Sequence, residues 1–276
     1  MKNKASDWGG SKLTTFQTCH QKYNLSYSYG GTGLEGIEDS YNRSRGVLVH
    51  EALEVFYSSH KSKPLEYRTL EAIKAAVEGI PALNIKEGLK ALMKDEIIAC
   101  LDQYFETYGM DEQLEPLEVE MPFQIKIGDD IHTGTRDLFG MWQGHPVVVD
   151  HKSTSLDWDR FFKQFKDDLS LKGYVYDKRR NGVPNCDLLI NGIRFKRTKN
   201  FACEFQRELI SFSEQQMEET PKIIIHVKKE IALCNVEKFW PKSGKQCVTV
   251  AGECEFRKYC TFPDEAVIKT FYKQKG

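Results

Sequence analysis

The sequence predicts an α/β domain: a central β-sheet with helices on its faces. Three observations lead there. Apolar residues recur at helical spacing up to about residue 110 and alternate from residue 114 onward. Three strand-like segments, the first of them alternating, then follow one another with only short turns between them. A helical stretch at 157–180 separates these segments from two further strands.

The elements follow in order. SKLTTFQTCHQKYNLSYSY (11–29) reads as a short helix capped by Ser11. GGTGLEGIEDS (30–40) reads as a Gly-rich loop, without the Gly-Lys-Ser/Thr that would make it a P-loop. SRGVLVHEALEVFYSSH (44–60) is helical, with Val47, Leu48, Ala52, Leu53, Val55 and Phe56 on a broad apolar side. A second helical region spans 64–110, interrupted by Pro81. LEPLEVEMPFQIKI (114–127), IHTGTRDLFGMW (131–142) and VVVDHKS (147–153) are strands, joined by GDD (128–130) and QGHP (143–146) into an antiparallel meander. Residues 157–180 form one helix. CDLLINGIRFK (186–196) and FACEFQRELISFS (201–213) form a hairpin, and 214–233 is a helix interrupted or kinked around Pro221. The tail, 234–262, is loop-like and holds four of the eight cysteines. The whole chain, 1–276, reads as one domain.

The composition, 40% hydrophobic and 29% charged over 276 residues, supports a core that needs no disulfides. No apolar run reaches about 18 residues, so no membrane span is expected. The N-terminus lacks the apolar stretch of a secretory signal, so a reducing cytoplasm is expected, where cysteines are thiols or metal ligands. The net charge is −1, yet residues 151–276 carry 24 Lys+Arg against 17 Asp+Glu. That asymmetry permits a polyanionic partner without identifying one.

Asp150 and Lys152 are two apart on a strand and so share a face, and Asp137 lies one hairpin away. Carboxylates gathered together repel, and a divalent cation relieves the repulsion. Hard oxygen ligands suit Mg²⁺ or Mn²⁺. An isolated Asp-x-Lys at a strand end is otherwise a surface ion pair, and a lone histidine such as His50 on an apolar helix is commonly a core residue.

Taken together, these segments resemble the PD-(D/E)XK nuclease superfamily, in the RecB-like branch that includes exonucleases of recombination and CRISPR adaptation and many phage-encoded nucleases. GVLVHEALE (46–54) is similar to the Gly-x-x-x-His helix, GTRDLFG (134–140) to the Gly-x-x-Asp strand, and VVVDHKST (147–154) to the hydrophobic-(Asp/Glu)-x-Lys strand. SLKGYVY (170–176) resembles the Gln-x-x-x-Tyr helix, with Ser170 in place of the glutamine. Arg136 stands where a proline would precede the acid. The resemblance implies a restriction-endonuclease-like core with a mixed sheet, a helical insertion at about 64–112 and a cysteine-bearing tail at about 234–262. It also implies a metal held by His50, Asp137, Asp150 and the backbone carbonyl of His151. Lys152, Asp137, Asp150 and Tyr174 are then catalytic, and the side chain of His151 is replaceable.

Cys247, Cys254 and Cys260 fall within fourteen residues. Zinc and iron–sulfur clusters both take four sulfurs, so a fourth must come from elsewhere. Cys234 is nearer in sequence; the resemblance selects Cys19 and a 4Fe–4S cluster joining the two chain ends. Zn²⁺ is the alternative, against which the absence of Cys-x-x-Cys counts. The remaining cysteines read as structural.

The basic residues Lys178, Arg179, Arg180, Lys196, Arg197 and Lys199 are expected as a group to contact DNA phosphates. The resulting expectation is a metal-dependent DNA nuclease. The resemblance favours exonuclease action on ends or single strands in recombination, repair or processing, leaving 5′-phosphates. No helicase motif is present, so unwinding would need a helicase or recombination partner. The alternatives are a structure-specific endonuclease, an RNA-directed nuclease, or a non-catalytic DNA-binding or assembly module on the same fold.

Overall fold

The computed structural model describes residues 9–59, 62–110, 113–197, 201–249 and 252–275. Its centre is a five-stranded mixed sheet in the order β2-β3-β4-β5-β6. Strands β2 (Leu114–Ile127), β3 (Asp130–Trp142) and β4 (His145–Thr154) form the expected meander. The β3–β4 hairpin turns on Gln143 and Gly144, both with positive φ (51° and 80°), which matches the right-handed twist of the strands. β5 (Asp187–Arg197) runs parallel to β4, and β6 (Phe201–Ile210) returns antiparallel to β5.

A parallel neighbour requires a crossover, which helices supply. The expected single helix at 157–180 is two: α6 (Trp158–Lys163) and α7 (Leu169–Arg180). Asp168 starts the second by accepting the Leu171 N–H at 3.1 Å. On the other face, α3 (Tyr41–Ser58) packs with α4 (Leu65–Gly79) and α5 (Glu87–Tyr108). β4 lies between the two layers. Val147 and Val149 enter the α3–α5 core, Val148 enters the α7 core, and all three are fully buried. Three consecutive valines therefore reflect a strand covered on both faces.

The ends differ from expectation in four places. α1 (Gly10–Thr18) starts with Gly9, not Ser11, at its N-cap, and it breaks at the extended Cys19 before the short α2 (His20–Tyr23). The Gly-rich segment contains β1 (Leu34–Gly36), paired with the C-terminal β9 (Tyr272–Gln274). Those chain ends are thus joined by backbone hydrogen bonds. α8 (Glu214–Glu237) passes through Pro221 without interruption, started by a Ser213–Gln216 capping box. The tail adds the small hairpin β7 (Val248–Thr249) and β8 (Gly252–Glu253), then α9 (Arg257–Thr261) and α10 (Glu265–Phe271). Among the described residues, no helix is long and apolar enough to cross a membrane.

Candidate active site

The last paired rung between β3 and β4 on this side is Leu138 opposite Val149. Beyond it the two strands part, and Asp137 and Asp150 face each other across the fork. The Asp137 side chain takes over from the ladder: its Oδ2 accepts the His151 N–H at 2.8 Å. From α3, His50 sets Nδ1 3.5 Å from the same oxygen and Nε2 against the His151 carbonyl oxygen. Gly46, one turn earlier, permits this approach, since a Cβ there would come within 2.7 Å of Ser153 Oγ on β4. Asp150 and Lys152 share the other face, with Lys152 Nζ 2.5 Å from Asp150 Oδ2. That oxygen is buried and has no hydrogen-bond donor besides this ion pair.

Burial pushes the Asp150 carboxyl up to about 6, with Asp137 adding to the rise and Lys152 and His50 opposing it. Burial alone would lower Lys152; the Asp150 and Asp137 carboxylates outweigh it and hold the ammonium above its ordinary range. Burial, with Asp150 adding to it, raises the Tyr174 hydroxyl to about 12. Tyr174 therefore stays neutral.

Two further acids belong to the site and were not expected. Glu120, on β2, falls between the Val119–Leu138 and Met121–Arg136 rungs and so comes level with Asp137. Its backbone is left-handed, φ 48°, in mid-strand. Burial, then Asp137, Glu54 and Asp150, push it up to about 7. Glu54 lies one helical turn beyond His50 and is raised by burial, Glu51 and Asp137. The spacing from His50 could have signalled Glu54; nothing local signals the turned backbone of Glu120.

Among the described residues no three His, Cys, Asp or Glu side chains stand close enough to hold a metal ion as placed. The donor chemistry still fits a hard divalent cation. The Asp150 oxygen is buried with only Lys152 beside it. His50 and the His151 carbonyl already converge, and the surrounding carboxylates are held toward protonation first by burial and then by one another.

The Ser170 substitution has a packing cause. Gly10 of α1 sits so close that a Cβ there would be 2.4 Å from Ser170 Oγ, and Ser170 is buried. A longer side chain at 170 would have to grow from a buried position packed directly against Gly10. Arg136 anchors β3 to α7 through Asp177 at 2.5 Å and reaches Glu118 at 3.3 Å.

The expected DNA-contacting group is dispersed. Lys178 is a correction: it is buried, pairs with Glu118 at 2.6 Å, and lies over the Phe139 ring at 3.7 Å. It follows Tyr174 by one turn and so shares that helix's buried face. Arg179 is tied to Asp187 at 3.1 Å and Glu214 at 3.0 Å. Arg180 is exposed, and Lys196 pairs with Glu204. Lys199 and the side chain of Arg197 lie outside the described residues.

The four selected cysteines share a cavity, although among the described residues no three of them stand close enough to hold a metal ion as placed. Cys19, Cys247, Cys254 and Cys260 all line one cavity of about 550 Å³, and all are free thiols with partial exposure. Burial, with the neighbouring thiols adding to it, raises Cys260; Cys254 is raised mainly by burial. Cys100, Cys186 and Cys234 are buried, and Cys203 is half-buried on β6.

A search of the curated proteins returns no match. Among solved structures, a chain from Eubacterium rectale named "Putative exonuclease" superposes with a TM-score of 0.51 at 12% identity, covering 87% of this chain and 85% of that one. The protein SSO0001 aligns at 12% identity over 88% and 98% of the two chains, with a TM-score of 0.31 that carries no structural argument. The first likeness shows the fold. The model of the PD-(D/E)XK nuclease superfamily matches residues 8–261, nearly the entire chain and all the fork residues. The protein belongs to the PD-(D/E)XK nuclease superfamily.

Proposed function

We propose that the chain is a divalent-metal-dependent deoxyribonuclease acting as an exonuclease on DNA ends or single strands. The observation that carries this is the fork, where Asp137, Asp150, His50 and the His151 carbonyl converge beside Lys152. These four groups would hold Mg²⁺ or Mn²⁺. When bound, the cation supplies an activated water at neutral pH and positive charge beside the scissile phosphate. Lys152, positive at all working pH values, orients the attacking water and offsets charge growing on the phosphoryl oxygens. Tyr174 keeps a neutral hydroxyl in the field of Asp150. Glu54 and Glu120 add negative potential that favours the cation.

The shared cavity supports a second element of the reading. Cys19, Cys247, Cys254 and Cys260 would hold a 4Fe–4S cluster tying the first helix to the tail, with Zn²⁺ as the rival occupant. Anaerobically purified protein should be brown and carry iron; colourless protein with one zinc would overturn the cluster.

End-labelled linear DNA and covalently closed circular DNA, each with Mn²⁺, test the exonuclease reading. Degradation of linear DNA alone is expected. Equal cutting of the closed circle would establish an endonuclease instead. A non-catalytic DNA-binding module is favoured by one observation, the loss of the glutamine at Ser170, and predicts binding without cleavage of either substrate.

A further inference from the structure

The His151 side chain points away from the fork into the α3–α5 layer and is 3% exposed. A buried imidazole needs partners, and this one has them. Its Nδ1 lies 2.7 Å from Asn191 Nδ2, on the strand residue directly beside it in the parallel β4–β5 register. The Asn191 amide also donates to Tyr104 OH at 2.8 Å, and its Oδ1 accepts from Arg207 Nε at 3.4 Å. Arginine can only donate, so the amide oxygen faces Arg207 and the amide nitrogen faces His151. His151 Nδ1 is therefore the acceptor.

Two more contacts fix the ring. Tyr57 stacks on it, with centroids 5.6 Å apart and planes at 12°, and the Tyr57 hydroxyl reaches Tyr104 OH at 2.8 Å. His50 meets it edge-on at 5.8 Å. His50 and Tyr57 are two turns apart on α3, so one helix face supplies both a site histidine and the ring's platform.

The main chain of the same residue faces the fork. Its N–H holds Asp137 and its carbonyl faces His50. We propose that the His151 side chain and Asn191 are positioning residues that set the His151 carbonyl and the Asp137 carboxylate for a divalent cation. This reverses the expectation that the side chain is replaceable, and it rests on the nuclease reading. Clamping the side chain restrains the peptide that carries the carbonyl, as outer hydrogen bonds orient the groups that bind a metal.

The test is Mn²⁺ binding by the full chain, read by electron paramagnetic resonance, together with thermal melting. Asn191→Leu should weaken Mn²⁺ affinity on the order of tenfold. Ile231→Ala, in the distant α1–α8 core, should lower the melting temperature while leaving Mn²⁺ affinity unchanged. If Asn191→Leu does not fold, His151→Leu and His151→Asn replace it. The asparagine oxygen can accept at the Nδ1 position and should restore affinity relative to leucine. Wild-type affinity in Asn191→Leu, or equal affinity in the two His151 variants, would overturn the proposal alone. A wild-type chain that neither binds Mn²⁺ nor cleaves DNA would overturn the nuclease reading, and this proposal with it.

Discussion

Asp137 and Asp150 stand opposite each other one step past the last paired rung of β3 and β4, so the carboxylates meet where the backbone ladder stops. His151 N–H and Lys152 Nζ each occupy an oxygen of this pair, at 2.8 and 2.5 Å. The protein's own donors thereby hold a site whose net character is acidic.

The first consequence concerns stability against pH. The folded Asp150 pKa, about 6, lies above its ordinary 3.8, so the folded state binds more protons between those values. Stability is then greatest below pH 3.8 as far as this group is concerned, and is lost as pH rises through 6. Asp150→Asn removes the penalty. Relative to wild type in metal-free buffer, the variant should therefore gain stability between pH 4 and pH 8, whatever the constant cost of losing the Lys152 ion pair. Chemical denaturation with EDTA present at the two pH values checks the sign; a difference that does not move in the variant's favour as pH rises contradicts the electrostatic account.

Glu120→Gln should act in the same direction on stability, since burial and three neighbouring acids hold Glu120 up to about 7. It should also weaken Mn²⁺ binding and slow cleavage on the order of tenfold, as loss of a group outside the primary ligands does. Titration of the variant with Mn²⁺ measures both effects.

Much of this arrangement was legible in the sequence, and the exceptions have physical reasons. The Val147–Val149 run marked a strand, and its lack of alternation has its cause in cover on both faces, which the structure supplies. The relation of Glu120 to Asp137 depends on register and a left-handed backbone, neither of which a strand's composition encodes. The β1–β9 pair joins three-residue strands from opposite ends of the chain, too short to leave a periodic signal. A charged run ordinarily marks a surface, and Lys178 departs from that rule because it lies on the packed side of α7. Its spacing from Tyr174 already assigned it to the buried face of α7.

That last distinction is measurable. Lys178→Ala should cost about 1–3 kcal/mol of stability by leaving Glu118 short of a charged donor. It should leave the salt dependence of DNA binding unchanged. Arg180→Ala, at an exposed position, should leave stability unchanged and reduce the salt slope by about one. Fluorescence anisotropy over a salt series separates the two.

Close packing of α1 on α7 makes a further prediction. Ser170→Gln restores the residue type of the resembling motif yet should destabilise the protein by about 1–3 kcal/mol, because the added atoms meet Gly10. Gly10→Ala should do the same, by urea denaturation. A neutral Ser170→Gln would show that the helices can separate to admit the longer side chain.

The central claim is that the fork cleaves DNA, and Asp150 tests it most directly. Purified wild-type protein with Mg²⁺ or Mn²⁺ should degrade linear DNA to products bearing 5′-phosphates, and EDTA should stop the reaction. Asp150→Ala, at equal concentration and shown to be folded, should lose cleavage by at least about a hundredfold. No cleavage by the wild type under any of these conditions, or cleavage undiminished in Asp150→Ala, would contradict the account.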